Sequence, residues 1–107
     1  MNQILIERDH HNMTFNAKVN DTITITLKEN PTTGYRWKLD NVNEKILLLQ
    51  DSKYSIYPNS GVGGGGIRNF TFTARSPCRT EIHLSLKREW EKEKSPLDDF
   101  VVFIQVT

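Results

Sequence analysis

Apolar and polar residues alternate through most of this chain. Ile23, Ile25 and Leu27 alternate with Thr22, Thr24 and Thr26, and Tyr35, Trp37 and Leu39 with Arg36, Lys38 and Asp40. Phe70, Phe72 and Ala74 alternate with Asn69, Thr71 and Thr73, and Ile82, Leu84 and Leu86 with His83, Ser85 and Lys87. Phe100, Val102, Ile104 and Val106 form a last apolar face, opposite Val101, Phe103 and Gln105. A period of two places successive side chains on opposite faces of a strand. The pattern therefore predicts strands over 22–28, 35–40, 67–74, 80–88 and 99–106. Two weaker strands are expected near Gln3–Glu7 and Met13–Phe15. Ile46-Leu47-Leu48-Leu49 fits a helical turn or a buried strand, and we read it as the approach to a strand near Lys53–Tyr57, the whole spanning 46–57. No heptads, repeats or long helical patterns occur. Short strands at this spacing, separated by polar turns, predict an all-β antiparallel sandwich.

At 107 residues the chain is expected to be one domain, with a core sufficient without disulfides. Its formal net charge of +1 gives no field that would attract nucleic acid or an anionic membrane surface. The single cysteine, Cys78, has no internal partner and stands beside Pro77 at an expected turn, so it reads as an ordinary thiol. No apolar run approaches membrane-spanning length. The first residues carry no secretory apolar segment, so the chain as written reads as cytoplasmic; with a leader removed it would read as vesicular, lysosomal or secreted. The triplets Asn12-Met13-Thr14, Asn20-Asp21-Thr22 and Asn69-Phe70-Thr71 matter only on the secretory route. Asp9, His10, His11 and His83 invite a metal or base reading. As strand residues, however, the adjacent His10 and His11 would point to opposite faces, and nothing completes a nucleophile–base–orienter set. No catalytic residue, metal or cofactor is expected.

The unusual residues lie in three connections. In an up-and-down course each connection swaps the end of the sandwich, so those after 22–28, 46–57 and 80–88 should share one end. The first is a tight hairpin-like turn, Asn30-Pro31-Thr32-Thr33-Gly34-Tyr35. Pro31 fixes a backbone angle, Gly34 permits positive φ, and two threonine hydroxyls are held between them. A stiff loop loses little entropy on contact, which favours binding. The second, Pro58–Gly66, includes Gly61-Val62-Gly63-Gly64 and can bring its backbone close to a partner. It is not a phosphate loop, because no Lys-Ser/Thr follows and no helix begins there. The third, Glu89–Asp98, carries Trp90 among charges, where it has no core to fill unless it folds back over the sandwich edge. Trp37, alternating with charged residues, belongs to the core. Clustered loops on a rigid scaffold form a binding architecture.

In these three loops the chain resembles the chagasin family of cysteine-peptidase inhibitors. The family's Asn-Pro-Thr-Thr-Gly-aromatic loop stands complete at Asn30–Tyr35, and its Gly-x-Gly-Gly loop matches Gly61-Val62-Gly63-Gly64. Its Arg-Pro-Trp loop is altered to Arg88-Glu89-Trp90. The resemblance implies an immunoglobulin-like antiparallel β-sandwich. It also implies a monomer that binds papain-like, cathepsin-type cysteine peptidases reversibly and tightly. Thr32 and Thr33 would enter at the catalytic centre, Pro31 and Gly34 would place them, and Trp90 would stack on the leaving-group side of the cleft. Asn30, Tyr35 and Arg88 complete the peptidase-binding set. Glu89 replaces a proline, which removes a restraint worth roughly 0.4–1 kcal/mol. The competing expectation is an immunoglobulin-like adhesion or carbohydrate-binding module, which explains an exposed Trp90 but not the company it keeps.

Overall fold

The alternation becomes burial. Ile23, Ile25, Leu27, Phe70, Phe72, Ala74, Ile82, Leu84, Phe100, Val102, Ile104 and Val106 are all buried, and they form one continuous apolar interior with Trp37 and Leu47. Each fully buried Ile, Leu or Phe contributes about 1.5–3 kcal/mol relative to exposure. The computed structural model describes residues 2–30, 33–56, 65–88, 90 and 96–107. Within them the strands are β1 (Gln3–Glu7), β2 (Thr14–Ala17), β3 (Thr22–Glu29), β4 (Tyr35–Asn41), β5 (Leu47–Ile56), β6 (Gly66–Ala74), β7 (Cys78–Arg88) and β8 (Asp98–Val106). They form two sheets, ordered β1-β3-β6-β5 and β2-β8-β7-β4. The β-sandwich expected from the alternation is the fold observed.

Several details depart from the sequence reading. The ladders β3–β6, β5–β6, β4–β7 and β7–β8 are antiparallel, but β1 pairs with β3 and β2 with β8 in parallel. The course of the chain requires this. It runs up β1, crosses to the other sheet, returns along β2 and turns at Lys18–Asp21, so β1 and β3 point the same way. His10 and His11 are not strand residues: Arg8–His10 is a 3-10 turn at that crossing. His10 Nδ1 accepts the Glu7 N–H at 2.9 Å, and His11 Nδ1 accepts that of Val101 at 3.1 Å. The ambiguous apolar run is strand from Leu47, with an irregularity between Leu49 and Asp51. Cys78 is exposed and opens β7 rather than lying in the turn before it.

A further departure shapes the functional end. The connection from β3 to β4 is not a ladder hairpin, because the two strands belong to opposite sheets. The connection therefore passes as an arch from one layer to the other, and no ladder joins the end of β3 to the start of β4 at its base.

At the opposite pole, the Asp21 carboxylate accepts the N–H of Asn2 and that of Lys18, each at 2.9 Å, which ties the start of β1 to the turn before β3. These two backbone donors, Asn2 first, hold its pKa below the usual carboxylate range. The unfolded chain lacks them. The ionised form thus favours folding, fully above the unfolded pKa, and that contribution is lost as pH falls through the folded-state value. The thermal midpoint should fall as the medium is acidified below about pH 4. An Asp21→Asn variant should be less stable at neutral pH and should lose part of that acid-side slope in thermal unfolding across pH.

Candidate functional site

Two registers decide where the loops emerge. Glu29 at the end of β3 lies opposite Gly66 at the start of β6, and Tyr35 at the start of β4 lies opposite Arg88 at the end of β7. The first places the arch beside the glycine loop. The second places it beside the tryptophan loop. All three therefore leave from one end of the sandwich, as the up-and-down course predicts.

The arch is closed by its own side chains. The Thr33 N–H and hydroxyl both donate to the Asn30 carbonyl, at 3.3 and 2.8 Å, and the Tyr35 N–H donates to Thr33 Oγ1 at 3.3 Å. The hydroxyl of Thr33, expected as a group presented to a partner, here holds the turn. Gly34 adopts φ 80°, a region that L side chains enter only at a cost of about 1–2 kcal/mol.

The tryptophan loop braces the arch. Arg88 Nε donates to the Thr33 carbonyl at 2.9 Å. Its guanidinium lies 4.3 Å from the Tyr35 ring centre and 5.7 Å from that of Trp90. Trp90 sits directly over Gly34. A Cβ on Gly34 would collide with Trp90 Cη2 and lie 3.2 Å from Cζ2 and 3.3 Å from Cζ3. Yet Trp90 remains 69% exposed, so it does not fold back into the core. Trp37 is buried, as expected.

On the other flank, a Cβ on Gly65 would lie 3.8 Å from the Asn30 Cβ and 3.5 Å from the Glu29 carbonyl, so the glycine loop ends against the arch. Gly66, read from sequence as part of that loop, is buried and opens β6. A side chain there would meet the Ser55 carbonyl and the Tyr54 hydroxyl. Pro31, Thr32, Gly61, Val62, Gly63, Gly64 and Glu89 lie outside the described residues. Asn30, Thr33, Gly34, Tyr35, Arg88 and Trp90 are brought together.

Sequence reasoning missed the support beneath the rim. Glu29 is buried, its carboxylate accepts the Trp37 N–H at 2.7 Å, and it pairs with Arg68 at 2.8 Å. The signal was present, since Glu29 shares its parity with Ile23, Ile25 and Leu27. A charge on an apolar face needs a partner. Among the described residues no group of His, Cys, Asp or Glu side chains converges to hold a metal ion.

Comparison with known proteins agrees with this geometry. The family model for chagasin family peptidase inhibitor I42 matches residues 16–104. Amoebiasin-2 of Entamoeba histolytica is 37% identical over 95 residues, 88% of this chain and 76% of its own length. The crystal structure of a cysteine protease inhibitor from the same organism superposes with a TM-score of 0.92 at 26% identity, covering 100% of this chain and 97% of the other. PbICP-C, solved in complex with falcipain-2, shares the fold with a TM-score of 0.69 at 18% identity over 100% of this chain and 91% of its own.

Gly34→Ala tests the packing of the rim. Strain at positive φ and the displaced Trp90 ring should together destabilise the domain by about 1–2 kcal/mol in denaturant unfolding. They should also change the indole fluorescence. Gly65→Ala, which meets only ordinary contacts, should stay within about 0.5 kcal/mol of wild type.

Proposed function

The chain belongs to the chagasin family of peptidase inhibitors, and on that premise we propose that it blocks papain-like, cathepsin-type cysteine peptidases reversibly and tightly, by closing their active-site cleft with the three rim loops. It is an inhibitor of cysteine peptidases, not an enzyme. The observation that carries the reading of the site is the brace between Gly34, Arg88 and Trp90. An exposed indole is held against a stiff arch before any partner arrives, so little freedom remains to be lost on binding.

In this reading the arch enters at the thiolate–imidazolium pair of the peptidase. Thr32 and the arch backbone meet the catalytic histidine and its surroundings. The arch bends back on itself through Thr33 and Gly34, so it lays no extended peptide across the nucleophile and is not cut. Gly61–Gly64 offer backbone groups to an extended edge of the cleft. Trp90 stacks beside it as the anchor, with Arg88 and Tyr35 fixing its approach. The falcipain-2 complex formed by a protein of the same fold supports a papain-like target. The family match does not favour the adhesion or carbohydrate-binding alternative.

Titration of papain with the purified chain should abolish activity at one-to-one stoichiometry with nanomolar affinity or better. Activity undiminished at micromolar protein would overturn the proposal. Trp90→Ala should raise the dissociation rate about 30- to 1,000-fold, the equivalent of about 2–4 kcal/mol. Its thermal midpoint should fall only slightly, because the ring is mostly exposed and touches the arch rather than the core. Thr32→Asp should weaken inhibition sharply by forcing a second charge into the catalytic centre, as measured by the inhibition constant.

A further inference from the structure

The rim end of the apolar interior is closed by a buried ion pair. Inward-facing positions of β3 run Ile23, Ile25, Leu27, Glu29, and those of β6 run Ala74, Phe72, Phe70, Arg68. The register sets Leu27 opposite Arg68 and Glu29 opposite Gly66, so Glu29 and Arg68 are diagonal neighbours on one face. Arg68 reaches Glu29 through Nε, at 3.2 and 3.4 Å from the two carboxylate oxygens, and through a terminal nitrogen at 2.8 Å. The glutamate side chain is 1% exposed and that of the arginine 18%. Arg68 also lies over the Tyr54 ring, 5.6 Å from its centre.

The position of this pair is what matters. The arch crosses between sheets, so no ladder joins the end of β3 to the start of β4. Two bonds stand in for one. The Trp37 N–H donates to Glu29 Oε1 at 2.7 Å, and the Trp37 indole N–H donates to the Lys28 carbonyl at 2.9 Å. The same carboxylate thus fixes the return limb of the arch and, through Arg68, the strand into which the glycine loop runs. A buried ion pair is a poor source of stability compared with apolar side chains of the same volume, because both charges must be desolvated. It is a good source of fixed geometry, because fork and carboxylate meet in few ways.

We propose that Glu29 and Arg68 are positioning residues for inhibition. They set the spacing of the arch and the glycine loop from beneath and act on the peptidase only through those loops. This rests on the inhibitory reading given above.

The test uses three full-length variants. Glu29→Gln keeps an oxygen for the Trp37 N–H but removes the charge. Arg68→Met keeps the apolar stem, and Glu29→Gln/Arg68→Met leaves neither charge behind. Papain inhibition kinetics, thermal unfolding and amide hydrogen exchange are measured on each. The single variants are expected to lose about tenfold or more in affinity. Exchange at the Trp37 indole and backbone N–H should quicken, while Leu84 and Val102 in the β7–β8 ladder stay protected. The double variant should recover thermal stability without recovering affinity, which a purely structural role would not produce. Arg68→Met exposes an unpaired buried carboxylate and is the variant most prone to unfolding; the other two then decide. Affinity that follows thermal stability in all variants, or exchange that rises equally across both sheets, overturns the proposal. Should wild type fail to inhibit papain, the inhibitory reading falls, and exchange at Trp37 alone shows whether the pair fixes the arch.

Discussion

Two backbone registers govern this molecule: Glu29 against Gly66 in one sheet, and Tyr35 against Arg88 in the other. Each is set by which alternate residues must face the interior. A slip of one residue would turn Ile25 and Phe70, or Trp37 and Leu84, toward water. Burial of the core therefore fixes where the loops begin. Of the three loops at the rim the arch alone passes from one sheet to the other, so it inherits its position from both registers at once.

A scaffold that fixes loop bases still has to restrain what lies between them. Here the restraint is local and polar. Thr33 closes the turn on Asn30, Arg88 ties it to β7, and Gly34 leaves room for an indole that would otherwise be displaced. The result combines two features that usually oppose each other, an exposed aromatic surface and an ordered one. Exposed tryptophan is an aggregation liability on a monomer unless a partner covers it. Placed at the centre of an interface it becomes the contact whose loss costs most. Glu89 replaces the proline of the family pattern, and the contacts of Arg88 and Trp90 with the arch supply restraint on either side of it.

Most of the sandwich was legible in the period-two pattern because burial on one face leaves a period-two trace. Strand boundaries moved by only a residue or two. What the pattern could not carry was which sheet each strand joins. Alternation in 22–28 and 35–40 is the same whether the two form a hairpin or an arch, so the turn residues suggested the commoner hairpin. The parallel edges β1 and β2 escaped for the same reason, and the 3-10 turn at Arg8–His10 was hidden by its brevity. The rim residues were legible by motif rather than by physics: nothing in periodicity marks Thr33 or Trp90. Glu29 and Arg68 were the reverse case. Their inward parity was plain, but Glu29 fell just beyond the strand expected over 22–28, and neither residue was singled out as a charge requiring a partner.

The central claim is that one end of the sandwich, and only that end, meets the peptidase. Hydrogen–deuterium exchange of the chain, free and in complex with papain, tests it directly. Protection on complex formation should be confined to residues 30–35, 61–66 and 88–97. Protection centred on the Lys18–Asp21 turn at the far pole, or spread over the outer face of either sheet, would contradict the account.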